Sequence, residues 1–240
     1  MNGAELEGRV IAIAGAAGGL GPVVCHRLAA AGVRLACTDV AEERLAALAA
    51  GLELGEERLT TGVVDLLDPE ATHGWAASIT ERFGHVDGLL HLVGGWRGGK
   101  PLQSFDLADL DWLEDLLFRT AVNSTRAFHD ALAASPHGRF VLVSSSQAQA
   151  PNGSNAAYAA TKAAAETWTL ALADSFREAD SAATANVLVV NAILTPEMRE
   201  RSPEKPFRSF TSAEDIAEAI AYLCSDAAAK MNGKRLALHP

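Results

Sequence analysis

The chain has 240 residues, 49% of them hydrophobic, and a formal net charge of -10. That length and apolar content suffice for one large core. The acidic balance, with Lys and Arg scattered rather than in runs, argues against electrostatic docking on nucleic acid or anionic lipid. Short apolar runs then alternate with helical patterns. Arg9–Ala14 reads as a buried strand, Gly19–Ala31 as a helix, Arg34–Thr38 as a second strand and Glu42–Ala50 as a short helix. Leu59–Val64 is a third strand. Asp68-Pro69 places an N-cap before a proline, opening a helix that runs to about Phe83. Gly88–Val93 follows as a strand, Leu107–Ala134 as one long helix, Arg139–Ser144 as a strand and Asn155–Glu178 as a helix. Asn186–Val190 is the sixth strand. Thr211-Ser212-Ala213-Glu214 has the pattern of a capping box for a helix over Ser212–Ser225, and Lys234–Leu238 is a last strand. Leu194–Phe210, rich in Pro, Arg and Glu, is the one irregular stretch, a lid or a surface loop.

The alternation predicts an α/β fold, a doubly wound parallel sheet with helices on both faces, in a single domain spanning residues 1–240. Three cysteines, Cys25, Cys37 and Cys224, stand far apart with no CxxC pair, which argues against a disulfide framework or a zinc site. No metal is expected. No apolar run reaches membrane-spanning length, and acidic Met1–Glu7 lacks a signal-peptide core, so a cytoplasmic location is expected.

Gly15-Ala16-Ala17-Gly18-Gly19-Leu20-Gly21 lies between the first strand and the first helix. Glycines at such a junction allow a tight turn and close approach of a pyrophosphate, and the helix N-terminus offers free N–H groups and partial positive charge. Asp39 ends the second strand, at the ~20-residue offset where a carboxylate accepts a ribose 2′-OH and repels a 2′-phosphate. No basic residue stands at Gly18 or Val40, so NAD(H) is preferred over NADP(H), with an N-cap of the next helix as the plain alternative for Asp39. Asp65 and Leu66 follow the third strand, where they bracket an adenine edge or simply enter a loop.

Tyr158 and Lys162 stand at i and i+4, on one helix face. A free tyrosine titrates near ~10, too high for general acid/base work at neutral pH. A neighbouring ammonium, and the positive ring of an oxidised nicotinamide, lower that value. Lys162 can also grip the nicotinamide ribose. A hydroxyl just past the fifth strand sits where open α/β sheets bind ligands; Ser144, Ser145 and Ser146 all qualify. Asn123, in the middle of the long helix, is a mildly unfavourable residue there and a candidate to hold a proton-relaying water. Gln147 and Asn191 are further candidates for the substrate side.

On these residues the chain resembles the short-chain dehydrogenase/reductase family over nearly its whole length. The family's glycine loop corresponds to Gly15, Gly19 and Gly21, and its Asn-Ser-Tyr-Lys tetrad to Asn123, Ser145, Tyr158 and Lys162, which selects Ser145 from the triplet. Val93, Gly94 and Gly95 fall on the fourth-strand turn, and Thr195-Pro196 resembles the threonine that meets the nicotinamide carboxamide. Asp215-Ile216-Ala217 and Gly233 match the last helix and strand. The resemblance implies a seven-stranded sheet, nicotinamide chemistry, and a homodimer or homotetramer built on helices 107–134 and 155–178. Departures from the family pattern are Ala14 before the glycine loop, His91-Leu92-Val93-Gly94 in place of Asn-Asn-Ala-Gly, and Val190-Asn191 in place of Pro-Gly.

Gly94-Gly95-Trp96-Arg97-Gly98-Gly99 and Pro203–Thr211 are also similar to dihydropteridine reductases, although those enzymes lack the tetrad serine and asparagine. Trp96 would stack a flat heterocycle or cap the strand end. Arg97 and Lys100 would attract an anionic substrate or sit in solvent. Trp75, Trp112 and Trp168 lie at apolar helix positions, read as core or subunit contact. The expected activity is hydride transfer between NAD(H) and a secondary alcohol or ketone. The alternatives are reduction of a quinonoid dihydropterin and a non-catalytic dinucleotide sensor or scaffold.

Overall fold

The computed structural model describes residues 5–238; Met1–Ala4 and His239–Pro240, with the part of the N-terminal reading that falls on them, lie outside the described residues. Seven parallel strands form one sheet. They are β1 (Val10–Ala14), β2 (Arg34–Asp39), β3 (Leu59–Val63), β4 (Gly88–His91), β5 (Arg139–Ser145), β6 (Thr184–Val190) and β9 (Arg235–Ala237). Their order across the sheet is β3-β2-β1-β4-β5-β6-β9. A two-residue pair, β7 (Ile193–Leu194) and β8 (Thr211–Ser212), stands apart.

Strand pleating sends alternate residues to two separate cores. Ile11 and Ile13 of β1, Leu35 and Cys37 of β2 and Val141 and Val143 of β5 face one side. There they meet α1 (Gly21–Ala30), α2 (Glu42–Leu52) and α8 (Ala213–Cys224) through Val24, Leu28, Leu48, Ile216 and Ile220. Val10, Ala12, Ala36, Phe140 and Leu142 face the other side. They pack on α3 (Pro69–Phe83), α5 (Thr120–Ala134) and α6 (Ala156–Glu178) through Trp75, Ile79, Phe128 and Phe176. Each such fully buried side chain contributes about 1.5–3 kcal/mol relative to exposure. Double-sided burial explains the unbroken apolar runs of the strands.

Several boundaries shift for local reasons. Asp68 caps α3 as expected, its Oδ1 accepting from the Glu70 and Ala71 N–H groups at 2.8 and 3.1 Å. The cap of α8 is set one residue later than the capping box suggests. Ser212 accepts from Asp215 N at 3.1 Å and donates to Asp215 Oδ2 at 2.6 Å, while Thr211 belongs to β8 and bonds the Leu238 carbonyl. The helix expected over Leu107–Ala134 is three consecutive pieces: α4 (Leu107–Glu114), a π turn over Asp115–Arg119, and α5. The irregular stretch Leu194–Phe210 contains a short helix, α7 (Pro196–Arg201), capped by Thr195. Cys25 and Cys37, distant in sequence, meet across α1 and β2 with sulfurs 3.8 Å apart, and all three thiols are free and buried. No helix among the described residues is long and apolar enough to cross a membrane.

Candidate active site

The strand order reverses between β1's neighbours β2 and β4, and ligands of open α/β sheets bind beyond the strand ends at that crevice. A cavity of about 770 Å³ lies there. Its wall carries Gly15, Gly18, Gly19, Leu20 and Asp39 on one side and Ser145, Tyr158, Lys162, Asn191 and Thr195 on the other. Asp65, Leu66, Val93, Gly94, Gly95 and Trp96 line the space between.

The glycine loop is shaped by backbone contacts that side chains would break. Gly15 has φ +79°, and a Cβ there would stand 2.8 Å from the Val93 nitrogen. A Cβ on Gly21 would fall 2.0 Å from the Ala16 carbonyl oxygen, which fixes the loop against α1 although Gly21 is not itself on the wall. No side chain caps α1, whose N-cap is Leu20, so the start of this helix is left open to an anion. Asp39 does not cap α2. Its Oδ2 accepts from Ala17 N and its Oδ1 from Ala41 N, both at 3.0 Å, and this ties the glycine loop to the end of β2. These features fit a dinucleotide: a tight turn, open N–H groups and a carboxylate at the second strand end. Arg44, in the first turn of α2, lines the same region. It escapes a reading of the loop and of the position after Asp39, because only the fold of α2 brings its side chain back to the cavity.

The serine triplet divides by hydrogen bonding. Ser144 Oγ donates to Glu166 Oε1 at 2.6 Å, and Ser146 Oγ to Asn191 Oδ1 at 3.0 Å. Ser145 Oγ accepts a 3.3 Å bond from Gln147 N and keeps its own hydrogen for another partner. Burial pushes the Tyr158 phenol above its ordinary pKa, and hydrogen bonding with Ser145 pulls the other way. Lys162 is 6% exposed, and its Nζ donates to the Val143 carbonyl at 3.0 Å. Burial lowers its pKa to about 8, against the opposing pull of Glu166. The ammonium therefore stays largely charged at pH ~7 but much closer to titrating than an exposed lysine.

Two of the candidate residues stand off the cavity wall. Asn123 is not on the cavity wall; its Nδ2 donates to the Leu66 and Leu67 carbonyls at 2.9 and 3.3 Å, so its amide hydrogens hold the loop after β3 and are not aimed at Lys162. Gln147 is also off the wall, and its Oε1 is buried without a partner. Asn191 lines the cavity, but its side chain is spent on Ser146 and on the Ser209 carbonyl.

Thr120, Leu116 and Asp115 line the cavity and escape the sequence reading, and Trp112, read there as core or subunit contact, lines it as well. Helical spacing ties Thr120 to Leu116, but nothing in the sequence marks that face as the inner one. Thr120 Oγ1 donates to the Leu116 carbonyl at 2.6 Å and so accepts from Nε2 of His91 at 3.2 Å. His91 is fully buried, its pKa driven down to about 3 by desolvation and by Lys162, which leaves it neutral. Arg97 and Lys100 are both tied to Asp109, at 3.1 and 3.6 Å, and Arg97 stacks over Trp112 at 4.1 Å. Neither cation lines the cavity. Trp96 is 56% exposed at the mouth, whereas Trp75 is core, edge-on to Phe128 at 4.9 Å. Trp168 packs on Phe118 and bonds Thr125.

Comparison with known proteins agrees with this geometry. The family model for short chain dehydrogenase matches residues 9–206. The chain is similar to levodione reductase of Leifsonia aquatica, 28% identical over 93% of this chain and 90% of that protein. It is also similar to the 3-oxoacyl-acyl-carrier-protein reductase of Escherichia coli, 28% identical over 97% and 96%. A crystal structure of levodione reductase superposes with a TM-score of 0.85 at 26% identity, covering 98% of this chain and 97% of that one.

Proposed function

The chain belongs to the short chain dehydrogenase family, and from that premise we propose an oxidoreductase that interconverts an uncharged secondary alcohol and its ketone, using NAD(H) in preference to NADP(H). The observation that carries this reading is the meeting of Ser145, Tyr158 and Lys162 with the glycine loop and Asp39 on one cavity. Bound there, the nicotinamide dinucleotide supplies or takes up the hydride. Gly15, Gly18 and Gly19 and the open start of α1 would hold its phosphates, Asp39 would accept from its ribose hydroxyls, and Thr195 would meet its carboxamide.

Ser145 donates its free hydroxyl hydrogen to the substrate oxygen and fixes it beside Tyr158. Tyr158 gives a proton to that oxygen in reduction and takes one in oxidation. The nearby Lys162 charge favours the phenolate and so eases the transfer. Arg97 and Lys100 stand off the cavity wall, where they share Asp109, and the wall formed by Trp112, Asp115, Leu116 and Thr120 carries no cation, so an uncharged substrate is favoured over an anionic one. Asn123 serves the adenine side by holding Leu66 and Leu67, and helices α4 to α6 pair two copies of the chain. Exposed Leu107 and Leu170, at 68% and 43%, lie on those helices and favour that pairing.

Tyr158→Phe tests the reading. Turnover of a neutral cyclic or acyclic ketone with NADH falls by at least ~100-fold, as removal of a general acid does, and NADH affinity stays within a few-fold. Near-normal turnover refutes it. The exposed indole of Trp96 at the mouth favours a second reading, a flat heterocycle such as a quinonoid dihydropterin. NADH oxidation with that substrate, set beside simple ketones, decides between the two.

A further inference from the structure

One turn beyond Lys162, α6 carries a second buried polar group. Glu166 is 6% exposed. Its Oε1 accepts from Ser144 Oγ at 2.6 Å and its Oε2 from Arg235 Nε at 2.8 Å. Ser144 directly precedes Ser145 on β5, and Arg235 lies on β9, the strand at the sheet edge. Three successive residues of β5 are thus met by three successive turns of α6. The Val143 carbonyl takes Lys162, the Ser144 hydroxyl takes Glu166, and Ser145 interacts with Tyr158. Both partners donate to Glu166, and Arg235 can do nothing else, so the position suits a group that accepts at both oxygens. A carboxylate accepts from both; an amide would accept from Arg235 and turn Ser144 into the acceptor, and would carry no charge. Burying a carboxylate is costly without such compensation, which makes its place beside the lysine informative.

We propose that Glu166 is a positioning residue for the reaction: its carboxylate locks the end of β5 onto α6 and supplies the negative charge that keeps the buried Lys162 ammonium charged. The proposal rests on Lys162 acting in the cavity as proposed for the reaction. The titratable and charged groups around Lys162 are consistent with it. Tyr158 shares its helix and is held neutral by burial. His91 faces it from β4 and is also neutral, so it brings no charge. Asp115, on the π turn across the cavity, is paired with Arg119 at 3.2 Å. Arg235 is paired with Glu166 at 2.8 Å. Glu166 is the group that raises the lysine against its desolvation.

The test is an NMR titration of the apoprotein with ¹³C-labelled lysine, following the Cε resonance of Lys162, assigned by loss of its signal in Lys162→Arg. The lysines to be resolved are Lys100, Lys162, Lys205, Lys230 and Lys234. In the wild type Lys162 titrates near 8. In Glu166→Gln its midpoint falls by roughly two pH units, the effect of a unit charge about 6 Å away at an effective dielectric near 20. Glu166→Asp keeps the charge on a shorter arm and retains most of the wild-type value, which keeps the test open if the amide variant does not fold. Arg235→Gln removes a cation and leaves the carboxylate, so its midpoint does not fall. An unchanged Lys162 midpoint in Glu166→Gln overturns the proposal. So does an equal fall in Glu166→Asp or Arg235→Gln, which would trace the effect to packing. The titration needs no turnover. A protein that reduces nothing, yet shows the Glu166→Gln shift, refutes the enzyme reading and leaves standing only the coupling of Glu166 to Lys162.

Discussion

His91 makes the acid stability of this protein predictable. It sits fully buried at the end of β4, with one ring nitrogen bonded to Thr120 and Nδ1 without a partner. Its pKa falls from an ordinary 6.5 to about 3 in the fold. The unfolded chain therefore takes up this proton first as the pH drops. The folded state binds fewer protons between those two values, so stability is complete above the unfolded pKa and is lost progressively below it. Integrating the two titrations gives a loss of about 2 kcal/mol between pH ~7.5 and pH ~5, rising to roughly 4 kcal/mol by pH ~3. Against a typical domain stability of about 5–15 kcal/mol, that is a large share for one side chain. Urea unfolding of the wild type and of His91→Asn at pH ~7.5 and pH ~5 isolates it. The substitution leaves a cavity and lowers stability at both, but its pH dependence is smaller by about 2 kcal/mol, since all other acids and histidines are common to both proteins. Equal pH dependence in the two proteins would show that His91 is protonated within the fold and would sink the account of a neutral buried ring.

Other perturbations separate cofactor selection from folding. Asp39→Ser removes the carboxylate that opposes a 2′-phosphate while Arg44 remains, and is expected to raise kcat/KM for NADPH relative to NADH by roughly tenfold, about 1.4 kcal/mol; an unchanged ratio in steady-state assays counts against the NAD(H) preference. Gly21→Ala drives a Cβ to 2.0 Å from the Ala16 carbonyl oxygen. It should destabilise by ~1–3 kcal/mol or more and abolish tight NADH binding, read by thermal melts and fluorescence. Gly74→Ala, in α3 with nothing within 4 Å of the new methyl, should stabilise by about 0.5–1 kcal/mol. A Gly21→Ala protein as stable as the wild type would contradict the geometry of the loop.

Much of the fold and site was legible because local chemistry and tertiary context agree. The Asp68-Pro69 start, the glycine loop and the apolar strands each satisfy a short-range requirement that the fold also needs. The Tyr158/Lys162 pair is legible for the same reason, since the spacing itself puts both on one helix face. What escaped the sequence depends on which distant elements meet. Glu166 reads as one more charge on an alanine-rich helix until β9 brings Arg235 to 2.8 Å from it. Arg97 and Lys100 read as loop cations until Asp109 pairs with both. The expected lowering of the Tyr158 pKa failed to anticipate desolvation, which is the larger effect here.

Asn123 shows how a single turn of backbone changes an assignment. A continuous α-helix over Leu107–Ala134 advances ~100° per residue. The π turn over Asp115–Arg119, marked by the Thr120 N–H reaching back to the Asp115 carbonyl, inserts one residue and rotates the downstream helix by about that angle. Leu116 and Thr120 are left facing the cavity, and Asn123 turns to the loop after β3, where it grips Leu66 and Leu67. The two possible roles give opposite kinetic signatures. As a proton-relay residue, Asn123 would lose turnover on substitution by Ala and keep its cofactor affinity. As a clamp on the adenine-side loop, Asn123→Ala loses two hydrogen bonds, each worth about 1 kcal/mol. NADH affinity should then weaken by roughly 5- to 30-fold, while kcat at saturating NADH and its pH profile hold. Fluorescence titration of NADH and a kcat profile from the same preparation give both numbers. A collapse of kcat with affinity intact would restore the relay and mean that the amide leaves Leu66 during the reaction.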